Sequence, residues 1–354
     1  MSMPQAAAKA PNSAAIADPE LTRLIAKTRE FSAEFPVLLA NHLPMVLVAL
    51  RRMGASDERL NTYFEYYRDT NKLAALPRSM AQIKQDHWAD ALGDRTRETD
   101  YRAFFVNEVT RRGVHDVIAA YLPALVPGIA ASAFHAFMRL AYGVLNDDRV
   151  EVGTALGYWA ATYLPLVDAT GAQPITADPA VVLLRLRDYP TFKNVEVELD
   201  LLWHFMRSVA AKPEFKPAVD WLEIVPGTHD KIAKTSLALM AGTMDFCAVH
   251  AVTGTHWIRI LTDYWPNQDL ALRYFWAAIA TLYPKIGFPD LPSAKQLDDW
   301  RHAPCPDWPE IFAKTIQSND EHDHSYVFSS HEEWKFYGDP LYRFVAARRV
   351  GLIS

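Results

Sequence analysis

Apolar residues recur along most of the chain at the three- and four-residue spacing that turns them onto one side of a helix. Leu21, Leu24, Ile25, Thr28 and Phe31 make the first such stripe. A second predicted helix covers residues 36–53 with Gly54 as its C-cap. Ser56 caps a third, whose buried face is Leu60, Tyr63, Phe64 and Tyr67. Tyr101, Phe104, Phe105 and Val109 follow, then predicted helices at 114–122, 131–145 and 150–164, with a break at Pro127-Gly128. The periodicity continues at 198–209, 216–224, 229–264, 269–283, 293–301, 308–335 (interrupted internally) and 341–350. Asp18-Pro19, Asp178-Pro179 and Asp339-Pro340 each set a carboxylate before a proline at a helix start. The carboxylate satisfies a free N–H there, and proline has none to lose. Strand-like patches at 195–197 and 224–225 are too short to build a sheet. The pattern predicts an all-α fold, a single compact multi-helical domain of roughly a dozen helices with a bundle-like core. It spans 19–354, after a flexible Ala-, Pro- and Ser-rich leader at 1–18. Residues 169–177 read as a linker, but the histidines described below lie on both sides of it, which favours one domain.

Composition narrows the function. Hydrophobic residues make up 50% of the 354 and charged residues 22%, enough for a large core and against disorder as the main state. Lys+Arg number 36 against 42 Asp+Glu, a net charge of −6, without the basic surplus of a general nucleic-acid binder. Two cysteines, Cys247 and Cys305, exclude a disulfide framework and a Cys-rich zinc module, and suit a reducing compartment. The longest apolar stretches, 37–50 and 129–145, carry His, Arg or Pro and fall short of about 18 uninterrupted apolar residues. The leader lacks the charged-then-apolar order of a signal peptide. The expectation is a cytoplasmic protein with a small-molecule partner, no nucleic-acid or membrane partner, and a homo-oligomer left open.

Cofactor signatures are scarce. No strand is followed by GxGxxG, so no flavin or dinucleotide site of that kind is expected, and P-loop, HExxH and GxSxG motifs are absent. NADPH bound in another way stays open. The histidines stand out instead. His42 lies in Asn-His-Leu-Pro-Met-Val-Leu, where Pro44 is expected to bend the helix and free the carbonyl of Ala40. His135 lies in Ala-Phe-His-Ala-Phe-Met-Arg, and His250 in Cys-Ala-Val-His-Ala-Val-Thr-Gly-Thr-His. Neutral imidazole suits iron or zinc, and bundle cores gather ligands from facing helices. A lone core histidine is ordinarily just hydrogen-bonded to a carbonyl. Three on separate apolar helices each need a buried partner, and a shared metal is one solution. His256, about 600° further round α-helical geometry, can join His250 only if Gly254 breaks the helix. Of His322 and His324, one is expected to point inward. Arg139 shares a helical face with His135 and is a candidate to orient an anionic oxygen, against the alternative of pairing with Asp or Glu. Tyr142 and other aromatics are candidates for a flat-ring pocket.

At these residues the chain resembles the questin oxidase-like family. The resemblance rests on Asn41 to Ser56, Ala133 to Gly143, His250 to His256, Asp320-Glu321-His322 and Gly338-Asp339-Pro340-Leu341-Tyr342. It implies an oxidoreductase that oxidatively cleaves, or inserts oxygen into, anthraquinone-like polyketide rings. Two chemistries are associated with the family: a Baeyer–Villiger-type oxidation with NADPH, and oxygen insertion at a histidine-bound non-haem Fe(II) using O2. On the second, His42, His135, His250 and His322 are the implied ligands, His256 an alternative ligand or a donor behind them, and Arg139 or Tyr142 stabilises charge on a ring oxygen. Family members often carry a lysine three residues after the last histidine, able to supply a carboxylated ligand. Ser325 stands there in this chain, so His324 or water takes that place, or the site is altered. The alternatives are an NADPH enzyme without metal and a helical protein that binds a flat hydrophobic ligand.

Overall fold

A computed structural model describes residues 18–265 and 268–354; the leader expected at 1–18 lies outside the described residues apart from Asp18. The first half holds α1 (Pro19–Thr28), α2 (Leu43–Arg52), α3 (Asp57–Asn71), α4 (Glu98–Arg112), α5 (Val114–Leu125), α6 (His135–Leu145) and α7 (Arg149–Ala161). Next come α8 (Pro179–Arg185), α9 (Leu202–Ala210), α10 (Thr228–Thr243), α11 (Phe246–Leu261) and α12 (Gln268–Ala280). The last are α13 (Tyr283–Ile286), α14 (Ala294–His302), α15 (Trp308–Gln317), α16 (Glu321–Tyr337) and α17 (Leu341–Arg349). Among the described residues the only sheet is a two-stranded antiparallel hairpin, β1 (Glu34–Phe35) with β2 (Leu39–Ala40). The all-α expectation holds, with more and shorter helices than the periodicity suggested. No helix of the described residues is long and apolar enough to cross a membrane.

Local chemistry explains the extra breaks. The run at 229–264 divides because Met244 adopts a left-handed backbone and Asp245 then caps α11, accepting from the Cys247 N–H at 2.7 Å. The run at 308–335 divides where Asp320 caps α16 by accepting from the His322 N–H at 2.8 Å. The helix predicted at 36–53 is corrected most: its first residues form the hairpin, with Val37 and Leu38 at φ 75° and 61°. Pro44 lies in the first turn of α2, where its missing N–H is harmless, so it opens that helix instead of bending it. Residues 216–224 hold only a single 3-10 turn, Ala218–Asp220.

Four helices form the centre. α11 packs against α6 and α16, and α2 packs against the same two, which closes a ring. α6 is backed by α7, and α7 lies so close to α4 that a Cβ on Gly157 would meet the Arg102 Cα at 2.7 Å. Gly254 has the same role inside α11, whose missing side chain admits the ring of Phe275. The helix therefore runs through Gly254 unbroken.

Candidate metal centre

The four histidines implied as ligands come from four different helices of the central ring. His42 is the N-cap of α2, His135 the first residue of α6, His250 the fifth of α11 and His322 the second of α16. Ring centroids lie 4.3 Å apart for His42 and His135, and 5.0 Å for His42 and His322. His250 stands slightly farther out, 5.8 Å from His135 and 6.1 Å from His322. One nitrogen from each of His42, His135 and His322 can be chosen so that all three lie within 4.8 Å of one another. Metal–nitrogen bonds of about 2 Å place ligand atoms roughly 3–4 Å apart, so a small inward movement brings these three around one cation.

Three of the rings have an outer nitrogen already engaged, while His250 Nδ1 is buried with no hydrogen-bond partner. His42 Nδ1 pairs with the carbonyl oxygen of Ala40 at 2.9 Å, and His135 Nδ1 with that of Ser132 at 2.5 Å. A carbonyl only accepts, so both Nδ1 atoms carry the proton and each Nε2 keeps its lone pair. His322 Nδ1 faces Asp320 Oδ1 at 3.3 Å. The carbonyl expected to be freed next to His42 is thus the one that sets its tautomer. His42 Nε2 is buried with no hydrogen-bond partner, a loss of about 1–3 kcal/mol unless something binds there. Burial first, and then the neighbouring rings, hold the His42, His135 and His250 imidazoles well below their usual pKa. They are neutral at pH 7, the form that ligates a metal. Burial works against the charge on Asp320, but hydrogen bonds from His322 outweigh it and keep that carboxyl anionic. An orphaned nitrogen, fixed tautomers, neutral rings and adjacent carboxylates at Asp320 and Glu321 together fit a divalent cation.

His135 is held by a strained turn. Ser132, Ala133 and Phe134 occupy the left-handed region in succession, with φ of 48°, 54° and 71°. Each costs about 1–2 kcal/mol for a residue with a Cβ, and such runs persist where the surroundings over-determine them. The clamp is Glu34 of the hairpin: it accepts a short hydrogen bond from Ser132 Oγ, and its other oxygen accepts from Arg95 Nε at 2.8 Å. Sequence periodicity could not show this, because the three residues read as the start of a helix.

The remaining predicted residues lie elsewhere. His256 lies six residues beyond His250 along α11, its Nδ1 paired with Ser329 Oγ at 3.0 Å and its ring against Phe328. Burial, then Arg259, lowers it to about 3. His324 points to the far side of α16 against Tyr63, and burial followed by Arg59 lowers it to about 4. Ser325 is buried one turn from His322, and with Ser329 it faces the phenol of Tyr142, which burial pushes up. Arg139 is committed to Glu151, Nε to Oε1 at 2.5 Å, both buried. The structure brings the four candidate ligands together and places His256, His324, Arg139 and Tyr142 outside their cavity.

That cavity holds about 310 Å³. The four histidines line it with Glu321, and the walls are Phe35, Leu38, Leu201, Trp203 and Phe246, with Lys285 and Asp200. Its size and largely apolar wall suit a small flat molecule. Glu321, Phe246, Trp203 and Lys285 had no signal in the sequence beyond Glu321's position beside His322. Among curated proteins none matches the chain. The family comparison does match, over residues 39–327, a stretch that contains every one of the four histidines. With that match covering most of its length, the chain belongs to the questin oxidase-like family.

Proposed function

We propose that the protein is an Fe(II)- and O2-dependent oxidoreductase that opens, or inserts oxygen into, a flat phenolic ring of the polyketide type. Family membership supports an oxidoreductase acting on polyketide-type substrates. The observation that carries the metal is the convergence of His42, His135 and His322, with the buried lone pair of His42 Nε2 left unpartnered. His42, His135, His250 and His322 would hold the iron, and its contribution when bound is the one-electron reduction of dioxygen.

The chain's own residues do the rest. Ala40 and Ser132 carbonyls keep the Nδ1 protons in place, so the ligand nitrogens face the cavity throughout. Phe35, Leu38, Leu201, Trp203 and Phe246 exclude water from the ring and its reactive neighbour. Asp320 and Glu321 balance the added positive charge. With Ser325 in place of a lysine, nothing at that position supplies an anionic ligand, and the adjacent carboxylates take over the charge balance only. Arg139 acts by locking α6 through Glu151, and Tyr142 by filling the ring interior beside Ser325.

The test is oxygen uptake by the anaerobically Fe(II)-loaded protein with a dihydroxyanthraquinone, with and without ascorbate as the two-electron donor that insertion of a single oxygen atom requires, read together with mass spectrometry of the product. Expected are O2 consumption and an oxygenated or ring-opened product, both abolished by a chelator. Turnover that needs NADPH and ignores the chelator would replace this reading with the metal-free one. Ligand binding with no turnover under either condition would replace it with the binding-protein reading.

A further inference from the structure

The cavity contains one cation whose present partner is a weak one. Among the described residues that line it, Lys285 is the only lysine or arginine. Its ammonium lies 3.5 Å from Asp200 Oδ1, and the Asp200 side chain is 93% exposed. Ion pairs of that kind contribute about 0–1 kcal/mol because water screens them and both chains lose freedom. The ammonium itself also lies over the ring of Phe205, 5.1 Å from its centroid, a cation–π contact that holds it at the cavity wall. A plain surface lysine would extend into solvent; this one borders a pocket whose other walls are mostly apolar.

The other charged residues that line the cavity are the carboxylates Asp200 and Glu321, so among the described residues Lys285 is its one side-chain attraction for an anion. α6 begins at His135 and α2 directly after His42, so two partly positive helix ends meet there, whereas the first turn of α16 carries the carboxylates Glu321 and Asp323 behind its Asp320 cap. We propose that Lys285 is the specificity-determining residue of this cavity, exchanging Asp200 for an ionised oxygen on the ring that binds there. The proposal rests on the ring-oxidising reading above for its ligand. What it adds is the selection of an anionic ring over a neutral one of equal shape, by a residue outside the candidate ligand set.

Two probes of near-identical outline test it, anthraquinone-2-carboxylate and anthraquinone-2-carboxamide, titrated into the full-length protein at pH 7 and followed by tryptophan fluorescence. The wild type is expected to bind the carboxylate about tenfold more tightly, the usual scale of one charge-assisted hydrogen bond at a partly wet site. Lys285→Met should remove that preference and leave amide binding unchanged, which also shows that the variant is folded. Lys285→Arg should retain the preference, and Asp200→Asn should raise or preserve it because the competing carboxylate is gone. An unchanged preference in Lys285→Met overturns the proposal while leaving the ring-binding reading intact. Failure of the wild type to bind either probe overturns both, and unaltered metal uptake would still leave the histidine site standing.

Discussion

Replacing Arg139 with methionine asks whether that buried cation serves chemistry or architecture. Its side chain is 1% exposed and that of its partner Glu151 is 5% exposed, with the two joined at 2.5 Å. Removing one member of such a pair strands the other charge in the interior, a loss of about 3–5 kcal/mol. Arg29 lies 3.6 Å from the other Glu151 oxygen and keeps part of the compensation, which points to the lower end, about 3 kcal/mol. For a chain of this length that lowers the melting temperature by about 4 °C. The double variant Arg139→Met, Glu151→Leu should regain much of the loss, since both charges leave together. The pH dependence has a definite sign. Burial raises the Glu151 carboxyl, but Arg139 outweighs it and holds the group below its usual 4.5. The wild type's advantage is therefore complete above that value and shrinks as pH falls through the lowered one. Urea unfolding of each variant between pH 7 and 3 measures this, with metal uptake as the control. A single variant as stable as the wild type, or one that folds normally and loses ring binding, would refute the architectural assignment.

Other outcomes follow from the same geometry. Burial keeps His256 at about 3 and His324 at about 4 when folded, against about 6.5 unfolded, so the unfolded chain takes up more protons below that pH. Stability should fall by about 2 kcal/mol from these two between pH 6.5 and 5.5, with His42, His135 and His250 adding in the same direction; a flat urea midpoint over this range contradicts it. Glu34→Ala frees Ser132 and the turn before His135, and should weaken metal binding by about tenfold or more in a competitive chelator titration; an unchanged Kd removes Glu34 from the site. Gly157→Ala forces α7 away from the backbone of α4 and should lower stability by about 1–3 kcal/mol, where a loss under a few tenths would show that the contact is looser than described.

The helices were legible because burial imposes its period on the side chains, and the capping pairs at Asp18 and Asp178 were legible because a carboxylate before proline has few other uses. The strained and irregular segments were not. Val37-Leu38 and Ser132 to Phe134 hold left-handed conformations that their side chains disfavour, so their sequence reads as helix and only the tertiary clamps reveal otherwise. His42, His135 and His250 announced themselves as polar groups on apolar stripes, yet the same signal marked His256, and a polar run offered His322 and His324 alike; His256 and His324 are buried apart from the cavity. What separates the two sets is the direction of a side chain around its helix once the bundle is assembled. Lys285 was invisible for the converse reason: the one lysine of a four-residue helix is unremarkable until Phe205 and Asp200 are seen beside it.

The most direct measurement of the central claim is an anaerobic titration of the chelator-treated protein with Co(II), followed by visible absorption, for the wild type and for alanine variants of the four histidines. Saturation is expected near one equivalent, lost on replacing His42, His135 or His322 and weakened on replacing His250, while His256→Ala and His324→Ala still take up the ion. No uptake near one equivalent, or uptake indifferent to His42 and His135, would contradict it.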